Sequence, residues 1–236
     1  MGLFSRKKSD DYIENAVKGS SSRGWEIQES YTEWDGTDVS TRTVYRGKTK
    51  YGHPWTIDCV TVDQNIQMDV VDDEQIAKHR ANFYTRWQTE NSYIDKGYVF
   101  IRPGDAKAAK AKTDRQGRHS SDGAHSRLLI SEIKKLFSVS YPEAKRALSF
   151  LELMLLSGGD FPEGYVVYAT DHSLLKNLFR KDVKVLLNKL SSQHVSIGVS
   201  EQKLALMISG ENLSSKFNLL ERMVELGEAI LQPTES

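Results

Sequence analysis

Between Gly164 and Leu231 the spacing of apolar residues changes repeatedly from one residue in two to three or four residues, and this limits the possible folds more than any other feature. Gly164-Tyr165-Val166-Val167-Tyr168-Ala169-Thr170 is rich in β-branched and aromatic residues and reads as a buried strand. Asp171 follows directly and precedes the helix-forming run His172 to Phe179, where its carboxylate can accept from the orphan amides of a first turn. The run continues through Val183, Val185, Leu186, Leu187 and Leu190. Val195 to Ser200 and Lys203 to Ser209 then flank the pair Glu201-Gln202, predicting a hairpin with a short turn. Phe217, Leu219, Leu220, Met223, Val224, Leu226, Ala229, Ile230 and Leu231 mark a closing amphipathic helix, with Gly227 as a weak point inside it. Strand, helix, hairpin and helix with matched apolar sides predict an α+β protein, with largely antiparallel pairing.

Upstream, Asp10 and Asp11 after Ser9 predict a helix start, with Tyr12, Ile13, Ala16 and Val17 on one side and Gly19 as its stop. Trp25 to Tyr31 alternates as an edge or half-buried strand should, and Trp34 to Asp38 reads as a turn or longer loop. Thr41 to Lys50 and Pro54 to Val62 form a second predicted hairpin around Tyr51-Gly52-His53, Gly52 being the natural place for a positive φ. On its second strand Trp55, Ile57 and Cys59 share one face, and Thr56, Asp58 and Val60 share the other, wetter one. Ile66, Met68 and Val70 extend this pattern. Ile76, Arg80, Phe83 and Trp87 recur at helical spacing after Asp72-Asp73-Glu74, which predicts a helix; a strand over Phe83 to Trp87 is the alternative. Gly97 to Arg102 is a strand stopped by Pro103-Gly104.

From Asp105 to His125 no apolar residue larger than alanine occurs, so burial there cannot offset the entropy of ordering. This predicts a mobile basic loop or linker at 104–126 between an N-terminal lobe at 9–103 and a C-terminal lobe at 127–232, with a flexible N-terminus at 1–8 and a tail at 233–236. One continuous sheet drawing strands from both halves is the alternative topology. Beyond the linker, Leu128 to Phe137 predicts one helix. Pro142 stands where a first helical turn tolerates it, opening a second helix, Glu143 to Leu156. The apolar residues of that second helix cover so wide an arc that burial on more than one side is implied, against the sheet or against another subunit.

Charge is balanced, 32 basic against 32 acidic residues, which argues against a surface devoted to polyanions. Cys59 is the single cysteine, so neither an internal disulfide nor a multi-cysteine zinc site can form, and a reducing cytoplasm is expected. Its place in a strand suits a buried apolar thiol better than a nucleophile. No apolar run reaches the roughly 20 residues a membrane span requires, and no secretory signal is visible. Leu3 and Phe4 ahead of Arg6, Lys7 and Lys8 are compatible with weak contact between residues 1–8 and an anionic membrane surface, although a frayed solubilising terminus explains them as well.

Chemistry is sparsely signalled. His119, Asp122 and His125 are the nearest approach to a ligand cluster, but they fall in the polar loop without a rigid support, so no metal is expected, nor any cofactor. Asp160, Asp171 and His172 could supply an acid/base pair for a small hydrolase, although capping explains Asp171 more simply. Phosphate loops, the Gly-x-Ser-x-Gly elbow and His-Glu-x-x-His are all absent from the sequence. Lys107, Lys110, Lys112, Arg115 and Arg118 suggest phosphate contact, yet acidic neighbours dilute them and no aromatic residue interleaves to stack a base, which disfavours nucleic acid. Trp25, Trp34, Trp55 and Trp87 all fall in the first half, either as sheet core or as the lining of a ligand or partner groove.

The strand ending at Asp171, the leucine-rich run through Leu190, and the Val195 to Ser209 hairpin before a terminal helix together resemble bacterial domain-of-unknown-function families. That resemblance covers the last third of the chain and implies a bacterial, cytoplasmic α+β fold, with no catalytic residue to carry over. The reading that follows is a non-enzymatic binding or assembly module, with another protein or a second copy of the chain as partner.

Overall fold

The computed structural model describes residues 17–34, 38–66, 78–90, 94–106, 108–109, 124–154, 163–176, 178 and 180–232. Its strands are β1 (Glu26–Trp34), β2 (Asp38–Lys48), β3 (Pro54–Ile66), β4 (Lys78–Thr89), β5 (Tyr98–Pro103), β6 (Glu152–Met154), β7 (Tyr165–Ala169), β8 (Val195–Ser200) and β9 (Leu204–Ser209). The α-helices are α1 (Ala124–Phe137), α2 (Tyr141–Phe150), α3 (Lys181–Lys189) and α4 (Phe217–Leu231). All nine strands join in one sheet, in the order β1-β2-β3-β4-β9-β8-β5-β7-β6, and every pairing is antiparallel. The α+β class therefore holds. Of the two topologies considered, the continuous sheet forms, because β4 of the first half pairs with β9 of the second and β5 sits between β8 and β7.

Register explains the layering. Ile27, Tyr45, Ile57, Trp87, Leu206, Ile197, Ile101, Val167 and Met154 stand side by side across all nine strands, an unbroken apolar row. Helices α3 and α4 close over this face, burying Val183 and Leu187 from the one and Leu220, Met223, Leu226 and Ile230 from the other. On the opposite face the neighbouring row runs Glu26, Arg46, Thr56, Gln88, Ala205, Gly198, Phe100, Tyr168 and Leu153. It is polar over β1 to β4 and apolar or small from β9 onward, and the second core, formed with α1 and α2, lies over that later part. Gly198 permits the close approach of α1, since a Cβ there would stand 2.5 Å from Leu136 Cδ2 and 2.6 Å from Phe137 Cζ.

Several local expectations hold. Gly52 turns the β2–β3 hairpin at φ +85°. Glu201-Gln202 joins β8 to β9, Ser200 and Lys203 exchanging backbone bonds. Pro142 lies in the first turn of α2, where Ser140 and Glu143 add a reciprocal cap that was not expected. Asp171 accepts from Ser173 N at 2.7 Å and opens a short 3-10 turn, His172–Leu175.

Others are corrected. The helix predicted through Ile76, Arg80, Phe83 and Trp87 is strand β4, because Lys78 to Gln88 finds backbone partners on β3 and Tyr84 to Thr89 on β9. Two-sided pairing outweighs a weak helical period. Predicted helix Glu143 to Leu156 ends at Phe150, and Glu152–Met154 becomes the edge strand β6 on β7. Its broad apolar pattern is thus two elements read as one, with Leu151 and Leu153 packed into the second core. The leucine-rich run after Asp171 is likewise broken into the 3-10 turn and α3. Gly19 lies within the helical residues 17–21 instead of stopping them, and the ring of Phe217 occupies the space a side chain would need there. The supposed linker is structured at both ends: Asp105 Oδ1 accepts from Ala108 N at 3.3 Å, Ala109 is buried in the second core, and α1 begins at Ala124. Lys107, Lys110, Lys112, Arg115, Arg118, His119, Asp122, Asp160, Met68 and Val70 lie outside the described residues, as do 1–8 and 233–236.

Candidate partner-binding groove

Where the polar half of the second sheet face ends, the strand ends of β1 to β4 enclose a groove of about 620 Å³. Sequence places a tryptophan, a proline and a glycine there for a reason. Gly47 pairs with Trp55 directly across β2 and β3, and a Cβ on Gly47 would stand 2.3 Å from the indole Cζ2, so only glycine lets the ring lie across β2. Trp25 meets Trp55 edge to face at a centroid distance of 5.2 Å, and Tyr45 and Phe217 continue the aromatic cluster into the core under α4. Trp55 is therefore fixed from behind while it lines the groove.

Polar residues complete the wall. Thr56 stands between Arg46 and Gln88 in the cross-strand row, with Glu26 beyond Arg46. Lys48 and Glu90 are exposed at the margin. Three lining residues each hold an enclosed side-chain atom without a hydrogen-bond partner among the described residues: Trp55 Nε1, Thr56 Oγ1 and Gln88 Oε1. Burying such groups unpaired costs about 1–3 kcal/mol each, so three in one place is a concentration of unmet demand.

One residue row away lies a charged network that does not belong to the groove. Asp58 is almost wholly buried and holds Arg86 Nη2 at 2.6 Å and Arg42 Nη2 at 2.5 Å. Arg86 Nη1 reaches across to Lys135 O at 2.5 Å and Ser138 Oγ at 2.6 Å. This corrects the expectation of a wetter face at Asp58: its carboxylate is desolvated and neutralised by guanidinium groups that sequence pattern could not place. The network ties the C-terminal end of α1 to the sheet, where cations also complement the helix dipole.

A second groove, of about 770 Å³, opens between α2 and the turn joining β8 to β9. Tyr98 and Phe137 pack edge to face within it, and Lys203 Nζ donates to Phe137 O at 3.1 Å.

The four tryptophans thus divide. Trp25, Trp55 and Trp87 pack in or against the first core, Trp55 also lining the first groove, and the side chain of Trp34 lies outside the described residues. Asp171 and His172 are exposed at the start of the 3-10 turn. Hydrogen bonds from Ser173 hold the Asp171 carboxyl below its ordinary range, which suits a cap. Cys59 is buried, and burial pushes its thiol up to about 12. Among the described residues no three of His, Cys, Asp or Glu gather as a metal site would need, and no helix is long and apolar enough to cross a membrane. Thr56 and Gln88 were invisible from sequence, because their adjacency depends on the pairing of β3 with β4.

No family model matches the chain, and no curated protein matches it in sequence. Among solved structures it is similar to the crystal structure of the mycobacterial trehalose monomycolate transport factor A, TtfA, at 10% identity and a TM-score of 0.45, over 95% of this chain and 98% of that one.

Proposed function

We propose that the protein is a non-enzymatic binding module that receives an extended polypeptide segment in the groove beside Trp55. The observation that carries this reading is the lining of the groove, where Trp55 and Pro54 stand beside Glu26, Arg46, Lys48 and Glu90, with three enclosed and unpartnered polar atoms among the lining residues. Trp55 Nε1–H can only donate, Gln88 Oε1 can only accept, and Thr56 Oγ1 can do either. A peptide group carries one carbonyl and one N–H, so an extended chain would supply the complement on a side-chain rearrangement that exposes these enclosed atoms, and the indole with Pro54 offers apolar contact between successive amides. Charges of both signs at the margin, from Glu26, Arg46, Lys48 and Glu90, would set its direction and sequence preference.

A phage-displayed library of random peptides, panned against the native protein and against T56V and Q88L, tests the proposal. Peptides enriched on the native protein should shift Trp55 fluorescence and bind each variant about tenfold more weakly, the loss expected for one buried hydrogen bond. Methylating their backbone nitrogens should weaken them similarly. Enrichment that is indifferent to both variants, or no enrichment at all, would refute it. Light scattering of the unliganded protein shows in the same series whether a second copy of the chain is itself the partner.

A further inference from the structure

Groove two has a different character from the groove beside Trp55. Its walls carry Tyr98, Phe137 and Phe150, the last 52% exposed although it is a large apolar side chain. Its charged lining consists of Glu143, Arg146, Glu201 and Lys203. Formally these cancel, yet their hydrogen-bonding capacity does not. Glu143 is turned to its own helix start, accepting from Ser140 N at 2.8 Å and Ser140 Oγ at 2.7 Å. Glu201 Oε1 accepts from Gly97 N at 3.4 Å. Glu143 is thereby well engaged by protein donors, and Glu201 by one long contact.

The cations are less engaged. Lys203 spends one N–H on Phe137 O and keeps two, while the guanidinium of Arg146 has no protein partner among the described residues. Burial first, and then the nearby Arg86, hold the Lys203 ammonium below its ordinary value against the opposing pull of Glu90 and Asp58, so an anion placed on that nitrogen would offset its desolvation. Aromatic walls with spare cationic donors make a recognisable complement.

We infer that this groove binds a flat, apolar organic acid, its ring between Phe150 and Tyr98 and its carboxylate on Arg146 and Lys203. The site is independent of the peptide groove: none of its lining residues lines the other. Arg146 lies on the exposed side of α2 and Phe150 at its end, so neither variant threatens the fold.

Calorimetric titration with naphthoate, naphthalenemethanol and naphthylmethylamine tests the assignment on the full chain. Naphthoate should bind best, R146Q and K203Q should each weaken it about tenfold, and F150A should weaken the acid and the neutral alcohol alike. R146K should retain part of the affinity, as a charge without the planar fork. Amide shifts on naphthoate binding should centre on Tyr98, Phe137 and Lys203. Equal affinity for the alcohol or the amine, indifference to R146Q, or shifts centred on Trp55 would each overturn the inference.

Discussion

Trp87 of β4 lies against Gly227 of α4 so closely that a Cβ on the glycine would stand 2.4 Å from indole Cη2. The indole is fully buried, and it is the fourth of nine residues in the apolar row that crosses the whole sheet. What reads in sequence as a weak point in a helix is the notch that lets α4 settle on the tryptophan. In a solvent-facing helix, Gly to Ala gains about 1 kcal/mol. Here G227A should instead lower stability by roughly 1–3 kcal/mol through overpacking. Adding W87L should recover part of that loss, the two sites being in contact. Urea unfolding of the four proteins checks it, and a stabilised G227A would refute the packing argument.

Arg86 and Asp58 should be strongly coupled. R86M leaves Asp58 buried with only the half-exposed Arg42 and strips donors from Lys135 O and Ser138 Oγ. The expected loss is about 3–5 kcal/mol. The double variant D58L/R86M should lose clearly less than the sum of the two single variants, because the uncompensated charge is gone. Additive losses in a double-mutant cycle would show that the pair does not act as a unit.

Glu132 should give a pH signature. Burial raises its carboxyl above the ordinary value, while Arg102, at 3.1 Å, and Lys135 act the other way. Between the ordinary and the raised value the folded protein keeps a proton that the unfolded chain has released, so stability falls as pH rises through that window. E132Q should remove the fall while keeping an acceptor for Arg102. Urea midpoints across the mildly acidic range check this, and parallel pH profiles for the two proteins would sink it.

Cys59 should be silent. With its thiol pushed up to about 12 and its side chain enclosed, folded protein at mildly alkaline pH should react with a thiol reagent only as fast as it opens. Denaturant should release the full reaction at once. Prompt labelling of the native state would mean that β3 is more open than its packing indicates.

The hairpins, the cap at Asp171, the start of α2 at Pro142 and the terminal helix were all legible, since each depends on residues close together in sequence. Strand β4 was not. Phe83 and Trp87 are compatible with either period, and the choice was made by β3 and β9, which approach from far along the chain. The same ambiguity merged α2 with β6, where apolar residues continue through a change of period. Trp55 was legible as a binding candidate, but Thr56, Gln88 and Arg146 carried no local signal, their significance lying in what surrounds them.

Local sequence, then, determined which segments alternate and which wind outside β4 and β6, where several of them start, and that the chain has no concentrated charge or cysteine framework; these follow from rotamers, caps and periodicity over a few residues. Tertiary structure alone decided that β5 inserts between β7 and β8, that Asp58 is buried between guanidinium groups, and that two grooves form with unequal chemistry. Those outcomes depend on strand register and on helix-to-sheet contacts between residues far apart in the chain, where each partner's preference is set by a neighbour that no local window contains.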